Sequence, residues 1–268
     1  MVRDSLFQNN RGSNGGAINV VLSALTVEGS TFLNNDSSSG STSSGHGAGG
    51  AIYTDGASKR DGTTSGTIAI RDSVFRGNTS TGEGGAAFTW IYPPDQVIIE
   101  RTTFQSNTVL LNDRENALGG GLRHGNGLLT LSDTTFAYNV ARRQGGGFWT
   151  DGSHPATLTN VTFAHNRAAS DDTAAPEDGL GGAIAGGGNF TCTNCTLAYN
   201  DAGNQAGAIY GGEDITCRIR YWPTIPAATS GGCIRPVRSN TPMAAAICNF
   251  PPRMRATRRT SFVLPQSR

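Results

Sequence analysis

The sequence predicts an all-β protein, a parallel β-helix of about seven rungs. Two observations support this fold: a short unit recurs along most of the chain, and apolar and polar residues alternate within each copy of the unit. The clearest copy is GGGFWTDGSHPATLTNVTFAHN, residues 145–166. It contains a glycine pair followed by a small residue, an apolar run, a polar turn, an alternating stretch and a Phe-x-x-Asn element.

The Phe-x-x-Asn element is the most regular part of the unit, and its last copy has Leu in place of Phe. A glycine element lies between successive copies, and the copies recur on average about every 32 residues, within the range of solenoid repeats. The copies are Phe7/Asn10, Phe32/Asn35, Phe75/Asn78, Phe104/Asn107, Phe136/Asn139, Phe163/Asn166 and Leu197/Asn200.

The periodicity within each copy indicates strands rather than helices. Apolar residues upstream of the Phe alternate with polar ones, which is the period of a half-buried strand. Glycine is abundant, with 37 residues, and strong helix formers are scarce, so helices would lack propensity. Each copy must therefore stack on its neighbours to bury its apolar face. The alternating pairs include Leu25/Val27, Ile68/Ile70, Val97/Ile99 and Leu129/Leu131.

In-register parallel strands place like residues above like, so the repeated residues should form columns. We predict that the Phe column fills the interior and that the Asn column forms a ladder at a turn, where Asn tolerates unusual backbone angles. Paired glycines allow a sharp corner or a close backbone approach. The residues with predicted structural roles are Phe32, Asn35, Phe75, Asn78, Phe104, Asn107, Phe136, Asn139, Phe163 and Asn166.

Two cysteines fall into one interior column. Aligned on Leu131, Cys192 and Cys217 occupy the same position on successive rungs, with their Cα atoms about 5 Å apart. Both a disulfide and two stacked thiols fit this position. Cys192 and Cys195 also form a CxxC pair, but no second pair has zinc-ligand spacing, so zinc is not expected.

The Gly-Gly-Ala-Ile and Phe-x-x-Asn elements resemble the repeats of the chlamydial polymorphic membrane proteins. More broadly, they are similar to right-handed parallel β-helix proteins of the pectin-lyase-like superfamily. The resemblance spans residue 3 to about residue 217 and implies a right-handed coil at the cell envelope, on the outer-membrane surface or in a secreted protein. Because β-helices host lyases, hydrolases, adhesins and inert stalks, it does not specify a function.

The composition changes abruptly after Cys217. Residues 1–217 carry 12 basic and 20 acidic residues, whereas residues 218–268 carry nine Arg, no acid and seven of the 11 prolines. We predict a β-helix over residues 1–217 and an irregular or disordered tail over residues 218–268, whose onset resembles translation in a shifted reading frame. The Arg residues lack helical spacing and interleaved aromatics, so nucleic acid is not an expected partner.

The first residues suggest a truncated start. Residues 3–7 repeat residues 71–75 almost residue for residue, so the chain opens inside the last strand of a rung. No signal peptide is recognisable, and no apolar run is long enough for a transmembrane helix. We therefore expect the β-helix to be truncated at its N-terminus.

One candidate ligand-binding site lies on the outer face of the strands that follow the glycine elements. Aromatic side chains in a row on a flat sheet can stack on sugar rings, with polar neighbours as hydrogen-bond partners. The alternative is that they only shield the sheet and one another. The predicted ligand-binding residues are Tyr53, Phe88, Trp90, Arg123, His124, Trp149, Asp151 and His154.

Enzyme signatures are incomplete. Of the four-part series typical of polygalacturonases, only Gly45-His46-Gly47 and Asp171-Asp172 occur. Asp55 and Asp151 share a column but lie three rungs, about 14 Å, apart, farther than glycosidase carboxylates. His124 and Asp151 are weak candidates for acid–base catalysis, because no second carboxylate or metal cluster accompanies them.

The sequence suggests no cofactor other than calcium. An acidic loop contains four carboxylates that could bind this cation through clustered oxygens. The alternative is a solvated loop, which charge runs of this kind usually form. The four candidates are Asp171, Asp172, Glu177 and Asp178.

These observations favour a non-enzymatic surface or secreted β-helix protein. It would be adhesin-like or contact glycans, with a polysaccharide or a host or surface macromolecule as partner. The alternative is a carbohydrate-active enzyme, a polysaccharide lyase or glycoside hydrolase, with its site near Trp90, Arg123, His124 and Trp149. A third hypothesis is a fragment without independent function.

Overall fold

The computed structural model of the protein describes residues 1–39, 47–112, 116–170 and 178–218. The predicted tail, residues 218–268, lies outside the described residues except for Arg218. The 25 strands of the described residues are β1 (Val2–Arg3), β2 (Leu6–Gln8), β3 (Ile18–Val21), β4 (Leu25–Glu28), β5 (Thr31–Leu33), β6 (Ile52–Asp55), β7 (Thr67–Arg71), β8 (Val74–Arg76), β9 (Thr79–Thr81), β10 (Ala87–Trp90), β11 (Gln96–Glu100), β12 (Thr103–Gln105), β13 (Thr108–Leu110), β14 (Leu122–Gly125), β15 (Leu128–Ser132), β16 (Thr135–Ala137), β17 (Val140–Ala141), β18 (Phe148–Thr150), β19 (Ala156–Thr159), β20 (Thr162–Ala164), β21 (Arg167–Ala168), β22 (Ile184–Thr193), β23 (Thr196–Ala198), β24 (Asp201–Ala202) and β25 (Ile209–Arg218).

The strands form a 13-stranded, a seven-stranded and a five-stranded sheet. In the seven-stranded sheet the order is β2-β5-β8-β12-β16-β20-β23, so each strand pairs with those of the adjacent repeats. The largest sheet contains two such runs, β3 to β18 and β1 to β19, which join in the long strands β22 and β25. Because the pairing is parallel and the chain visits the sheets in turn, the predicted all-β parallel β-helix is confirmed. The handedness and the number of rungs stay predictions.

The phenylalanines form one continuous interior column, as predicted. Phe7, Phe32, Phe75, Phe104, Phe136 and Phe163 pair in register, and Leu197 follows them. Neighbouring rings stack with centroids 4.6 to 4.9 Å apart. From Phe32 to Phe163 the rings are fully buried, so the column is the centre of the hydrophobic core.

The asparagines form the predicted ladder. The Nδ2 of each Asn donates to the Oδ1 of the Asn one repeat later, at 2.9 to 3.0 Å. That Oδ1 also accepts the backbone N–H of the earlier Asn, and Nδ2 donates again to a carbonyl one repeat earlier. Among uncharged side chains, only an amide offers this combination of one carbonyl acceptor and two donors. The members are Asn10, Asn35, Asn78, Asn107, Asn139, Asn166 and Asn200.

The unusual backbone angle is not where it was predicted. The residue before each ladder Asn has a positive φ, between 52° and 65°, and the ladder Asn itself does not. Since Tyr and His occupy this position in the last three copies, the angle does not require an amide there. The ladder position is therefore occupied by Asn because of its hydrogen bonds. The residues with positive φ are Asn9, Asn34, Gly77, Ser106, Tyr138, His165 and Tyr199.

The two glycines of each pair meet different requirements. Gly145 has φ +65°, a left-handed conformation that forms the corner. Gly146 lies so close to the next repeat that a Cβ would come within 2.3 Å of the Gly182 carbonyl oxygen. The pair therefore combines a corner with a close backbone approach, and both expectations are confirmed.

The cysteine register is also as predicted. Cys192 in β22 lies in register with Cys217 in β25 on one side and with Leu158 in β19 on the other. Cys192 is buried, and the structure records both residues and Cys195 as free thiols.

Candidate functional site

The predicted outward column is assembled by four neighbouring strands. Tyr53, Phe88, Arg123 and Trp149 lie in register on β6, β10, β14 and β18. Trp90, two residues after Phe88, projects from the same face of β10. We call these five residues the aromatic column. Parallel pairing thus brings together residues that are far apart in the sequence.

The aromatic column is a stack of planar groups. The Tyr53 and Phe88 rings stack with centroids 4.9 Å apart and planes 4° from parallel. The Arg123 guanidinium carbon lies 4.9 Å from the Phe88 centroid, 4.7 Å from that of Trp90 and 4.9 Å from that of Trp149. Arg123 therefore continues the stack as a planar cation, which the ring quadrupoles stabilise.

Arg123 is buried within this stack. It is 6% exposed, and its Nε and Nη1 have no hydrogen-bond partner. Burial lowers the pKa of Arg123, while the carboxylates of Glu83 and Asp151 oppose that shift. Glu83 gives the closest compensation, with Oε2 3.6 Å from Nε. The cation is thus held mainly by aromatic contacts.

Gly125 makes room for this arrangement. A Cβ at Gly125 would lie 2.7 Å from the Trp90 ring and 2.8 Å from Nη1 of Arg123. Because Gly125 has no side chain, the Trp90 ring can pack against β14 and cover the Arg123 guanidinium. The burial of Arg123 under Trp90 therefore depends on a glycine in the same strand as Arg123.

This packing corrects two of the predicted ligand contacts. Phe88 is 6% exposed, and its two faces are occupied by Tyr53 and Arg123. Arg123 is equally buried. Neither side chain is free to stack on a sugar, so both act as supports. Tyr53, Trp90 and Trp149 are half-buried and keep accessible surface.

His124 is also not a surface residue, which corrects its prediction as a ligand contact and as a catalytic candidate. It is 1% exposed and lies in register with Thr89 and Thr150 on the inner face of the sheet. Its Nε2 donates to the Gly127 carbonyl at 2.8 Å, and its Nδ1 accepts from Thr89 Oγ1 at 2.9 Å. Burial lowers the pKa of His124 to about 4, so the ring is neutral and structural.

The pH dependence of stability tests this assignment. His124 binds a proton more readily in the unfolded chain, where its pKa is about 6.5, than in the fold. Its contribution to the free energy of unfolding is therefore complete above pH 6.5 and is lost as pH falls towards 4. The loss is on the order of 2–3 kcal/mol between pH 7 and 4.5.

His124→Gln should remove this part of the pH dependence, because Gln can still donate to the Gly127 carbonyl but does not titrate. The measurement is urea unfolding of both proteins at pH 7 and at pH 4.5. Identical changes in the two proteins over this interval would show that His124 is not a buried neutral histidine.

Asp151 and His154 lie in the turn after β18. Asp151 Oδ2 accepts the Asn126 backbone N–H at 2.9 Å, and Oδ1 accepts the Ser153 N–H and hydroxyl at 3.1 and 2.9 Å. His154 Nδ1 lies 3.2 Å from the Ser153 Oγ. These bonds give Asp151 a structural role in the turn, and both predicted residues stay half-buried beside the aromatic column.

Two residues that the sequence analysis missed extend the site beyond Tyr53. Tyr92 donates its hydroxyl to Asp55 Oδ1 at 2.8 Å, and the Arg60 guanidinium lies 3.7 Å from the Tyr92 ring centroid. Burial and the nearby Asp55 raise the pKa of Tyr53 to about 12, so its hydroxyl stays protonated. The signal for Tyr92 was its spacing of two residues from Trp90; Arg60 comes from an irregular loop and had none.

The predicted calcium loop is largely outside the described residues. Asp171, Asp172 and Glu177 are not described, nor are the Gly45 and His46 of the enzyme-like tripeptide. Asp178 is described and pairs with Arg143, with Oδ1 and Nε 3.2 Å apart. In the described part of the chain, no group of three or more His, Cys, Asp or Glu residues is placed to hold a metal ion.

A family model matches a short segment of the chain. The Chlamydia polymorphic membrane protein (Chlamydia_PMP) repeat matches residues 72–89, which run from Asp72 through Phe75, Asn78 and the pair Gly84-Gly85 into β10. The resemblance to this repeat is therefore confirmed over one copy of the unit. No curated protein and no solved structure matches the chain. Among the described residues, no helix is both long enough and apolar enough to span a bilayer.

Proposed function

We propose that the chain is part of a non-enzymatic cell-surface β-helix protein, and that the accessible edge of the aromatic column contacts carbohydrate on a partner surface. The observation that carries the proposal is the stacked column itself. It holds Tyr53, Trp90 and Trp149 half-exposed along three strand spacings, about 14 Å. Rings that are already ordered lose little conformational entropy when a ligand binds.

Polar groups border the aromatic edge on two sides. Asp55, Tyr92 and Arg60 lie at the Tyr53 end, and Asp151 and His154 lie at the Trp149 end. Aromatic surface with a few polar groups at its margin is the usual composition of a sugar-binding surface. These groups would provide hydrogen bonds to sugar hydroxyls.

Support for a surface location comes from the matched repeat, whose name refers to membrane proteins. Support for a non-catalytic role comes from the two candidate catalytic residues. His124 is enclosed with both ring nitrogens bonded, and Asp151 accepts three hydrogen bonds from its own turn and the neighbouring one. Acid–base catalysis needs a titrating group within reach of the substrate.

Binding of the full chain to a polysaccharide panel, with and without calcium, tests the proposal. We expect binding without turnover, and a dissociation constant raised about tenfold or more by Trp90→Ala or Trp149→Ala, because central aromatics dominate such contacts. Tyr138→Ala is the matched control, since Tyr138 is an exposed aromatic, 53% accessible, outside the aromatic column. It should bind like the parent chain.

Two results would contradict the proposal. If no polysaccharide binds, or if Tyr138→Ala weakens binding as much as Trp149→Ala, the aromatic column is not the contact surface. Release of reducing or unsaturated ends that Asp151→Asn abolishes would instead establish a carbohydrate-active enzyme.

A further inference from the structure

Three cysteines meet in the last two described repeats. Cys192 lies in the interior column of β22, in register with Cys217 of β25. Cys195 lies in the turn between β22 and β23. Both Cys195 and Cys217 lie near enough to Cys192 to raise the pKa of its thiol. Cys192 therefore has two alternative disulfide partners, one in its own turn and one in the next repeat.

Cys195 occupies a position that carries a hydroxyl in five earlier repeats and Val161 in the repeat directly before it. Each of those hydroxyls donates to the carbonyl two residues before it, at 2.6 to 2.9 Å. Cys195 Sγ has the same geometry, 3.9 Å from the Thr193 carbonyl oxygen. Since Ser, Thr and Val all occupy this position, packing alone does not require a thiol here. The earlier residues are Ser5, Ser30, Ser73, Thr102 and Thr134.

The surroundings give the Cys192 and Cys195 thiols different reactivities. The hydrogen bond from Cys192, helped by the Val161 backbone N–H, lowers the pKa of Cys195. The same contact with Cys195, together with Cys217 and burial, raises the pKa of Cys192. Cys195 is half-buried, whereas Cys192 is 2% exposed. Of these two thiols, Cys195 is thus the more accessible and the better nucleophile, and Cys217 is half-buried as well.

We propose that Cys192, Cys195 and Cys217 form a thiol–disulfide exchange site. Cys195 reacts with an external disulfide, of a small molecule or of an oxidoreductase, and the oxidation is passed through Cys192 to a final Cys192–Cys217 bond. This assigns Cys195 a role that neither a structural disulfide nor stacked thiols would require.

The exchange balances in three steps. The Cys195 thiolate attacks one sulfur of the external disulfide, which forms a mixed disulfide and releases one thiolate. Cys192 loses its proton and attacks the Cys195 sulfur, which forms Cys192–Cys195 and releases the second thiolate. The Cys217 thiolate then attacks the Cys192 sulfur and frees Cys195. Overall, the external disulfide gains two electrons and two protons, and the Cys192 and Cys217 thiols lose them.

The final bond would tie β25 covalently to the rest of the β-helix. Within the described residues, β25 pairs with β22 alone. Oxidation would therefore fasten the last described repeat to the one before it.

The test uses the full chain with Cys233→Ser and Cys248→Ser, so that only the three cysteines of the site remain. The folded chain is treated with oxidised glutathione at about pH 8, quenched with acid, denatured and alkylated, and its disulfides are mapped by mass spectrometry. We expect Cys192–Cys217 as the main product. Cys195→Ser, which introduces the hydroxyl found in five earlier repeats, should slow its formation about tenfold or more.

Cys217→Ser is the second variant and should stop the exchange at Cys192–Cys195. Circular dichroism of each variant before oxidation verifies that the fold is retained. Recovery of Cys192 as a free thiol from the oxidised chain would overturn the proposal. An unchanged rate in Cys195→Ser would also overturn it, because Cys192 and Cys217 would then oxidise without the third thiol.

Discussion

Replacing Asn107 by Ala is expected to lower the free energy of unfolding by about 4 kcal/mol. Asn107 is fully buried in the middle of the ladder. Its Oδ1 accepts two bonds from Asn78, and its Nδ2 donates to the Phe75 carbonyl and to Asn139 Oδ1. Alanine removes all four bonds and leaves buried polar groups in two neighbouring repeats without that partner. Urea unfolding followed by circular dichroism gives the difference.

Two further variants separate the ladder from other effects. Gln105→Ala changes an outward, half-buried side chain two residues away and should cost less than about 1 kcal/mol. Asn107→Asp keeps the oxygen acceptor but loses the Nδ2 donors, so it should be nearly as harmful as alanine at neutral pH. If Asn107→Asp matched the parent chain, the donors of the ladder would not contribute to stability.

Phe136→Ala is expected to cost about 3–5 kcal/mol, the range for large cavities in a rigid core. Phe136 is fully buried, and its ring stacks on Phe104 and Phe163 at 4.8 and 4.9 Å. It also contacts Phe148 from the facing strand, with centroids 6.5 Å apart. The backbone of a β-helix is tied on both sides by strand pairing, so the cavity cannot collapse. The measurement is the same unfolding experiment.

Phe136→Leu provides the matched control, because Leu197 occupies the same column in the last copy of the unit. We expect it to cost less than half as much as alanine. Equal losses for Leu and Ala would mean that ring stacking, rather than the volume filled, determines the contribution of this column.

The columns could be predicted because their cause is local and repeated. Phe and Asn recur at a fixed spacing, and in-register parallel pairing places equivalent residues of adjacent repeats side by side. The ladder from Asn35 to Asn166 could therefore be predicted from the sequence. The inward direction of His124 was also available, since alternation from the buried Leu122 places it on the inner face.

The burial of Arg123 could not be predicted in the same way. Alternation correctly places Arg123 on the outer face of β14, but its exposure depends on side chains of other repeats. Trp90 covers it only because Gly125 leaves space, and Glu83 approaches it from the corner before β10. None of these contacts is periodic, so no column pattern reveals them. The link between Arg60 and Tyr92 is unpredictable for the same reason.

The asparagine ladder also has a direction. In each of the six amide–amide bonds from Asn10 to Asn200, the Nδ2 belongs to the earlier repeat and the Oδ1 to the later one. Aligned amide dipoles polarise one another. A repeat that joins on the C-terminal side meets an oriented donor, whereas one that joins on the N-terminal side meets an oriented acceptor. The two ends of the solenoid therefore differ chemically. When the chain is synthesised from its N-terminus, each new repeat would join the solenoid by forming the same hydrogen bond.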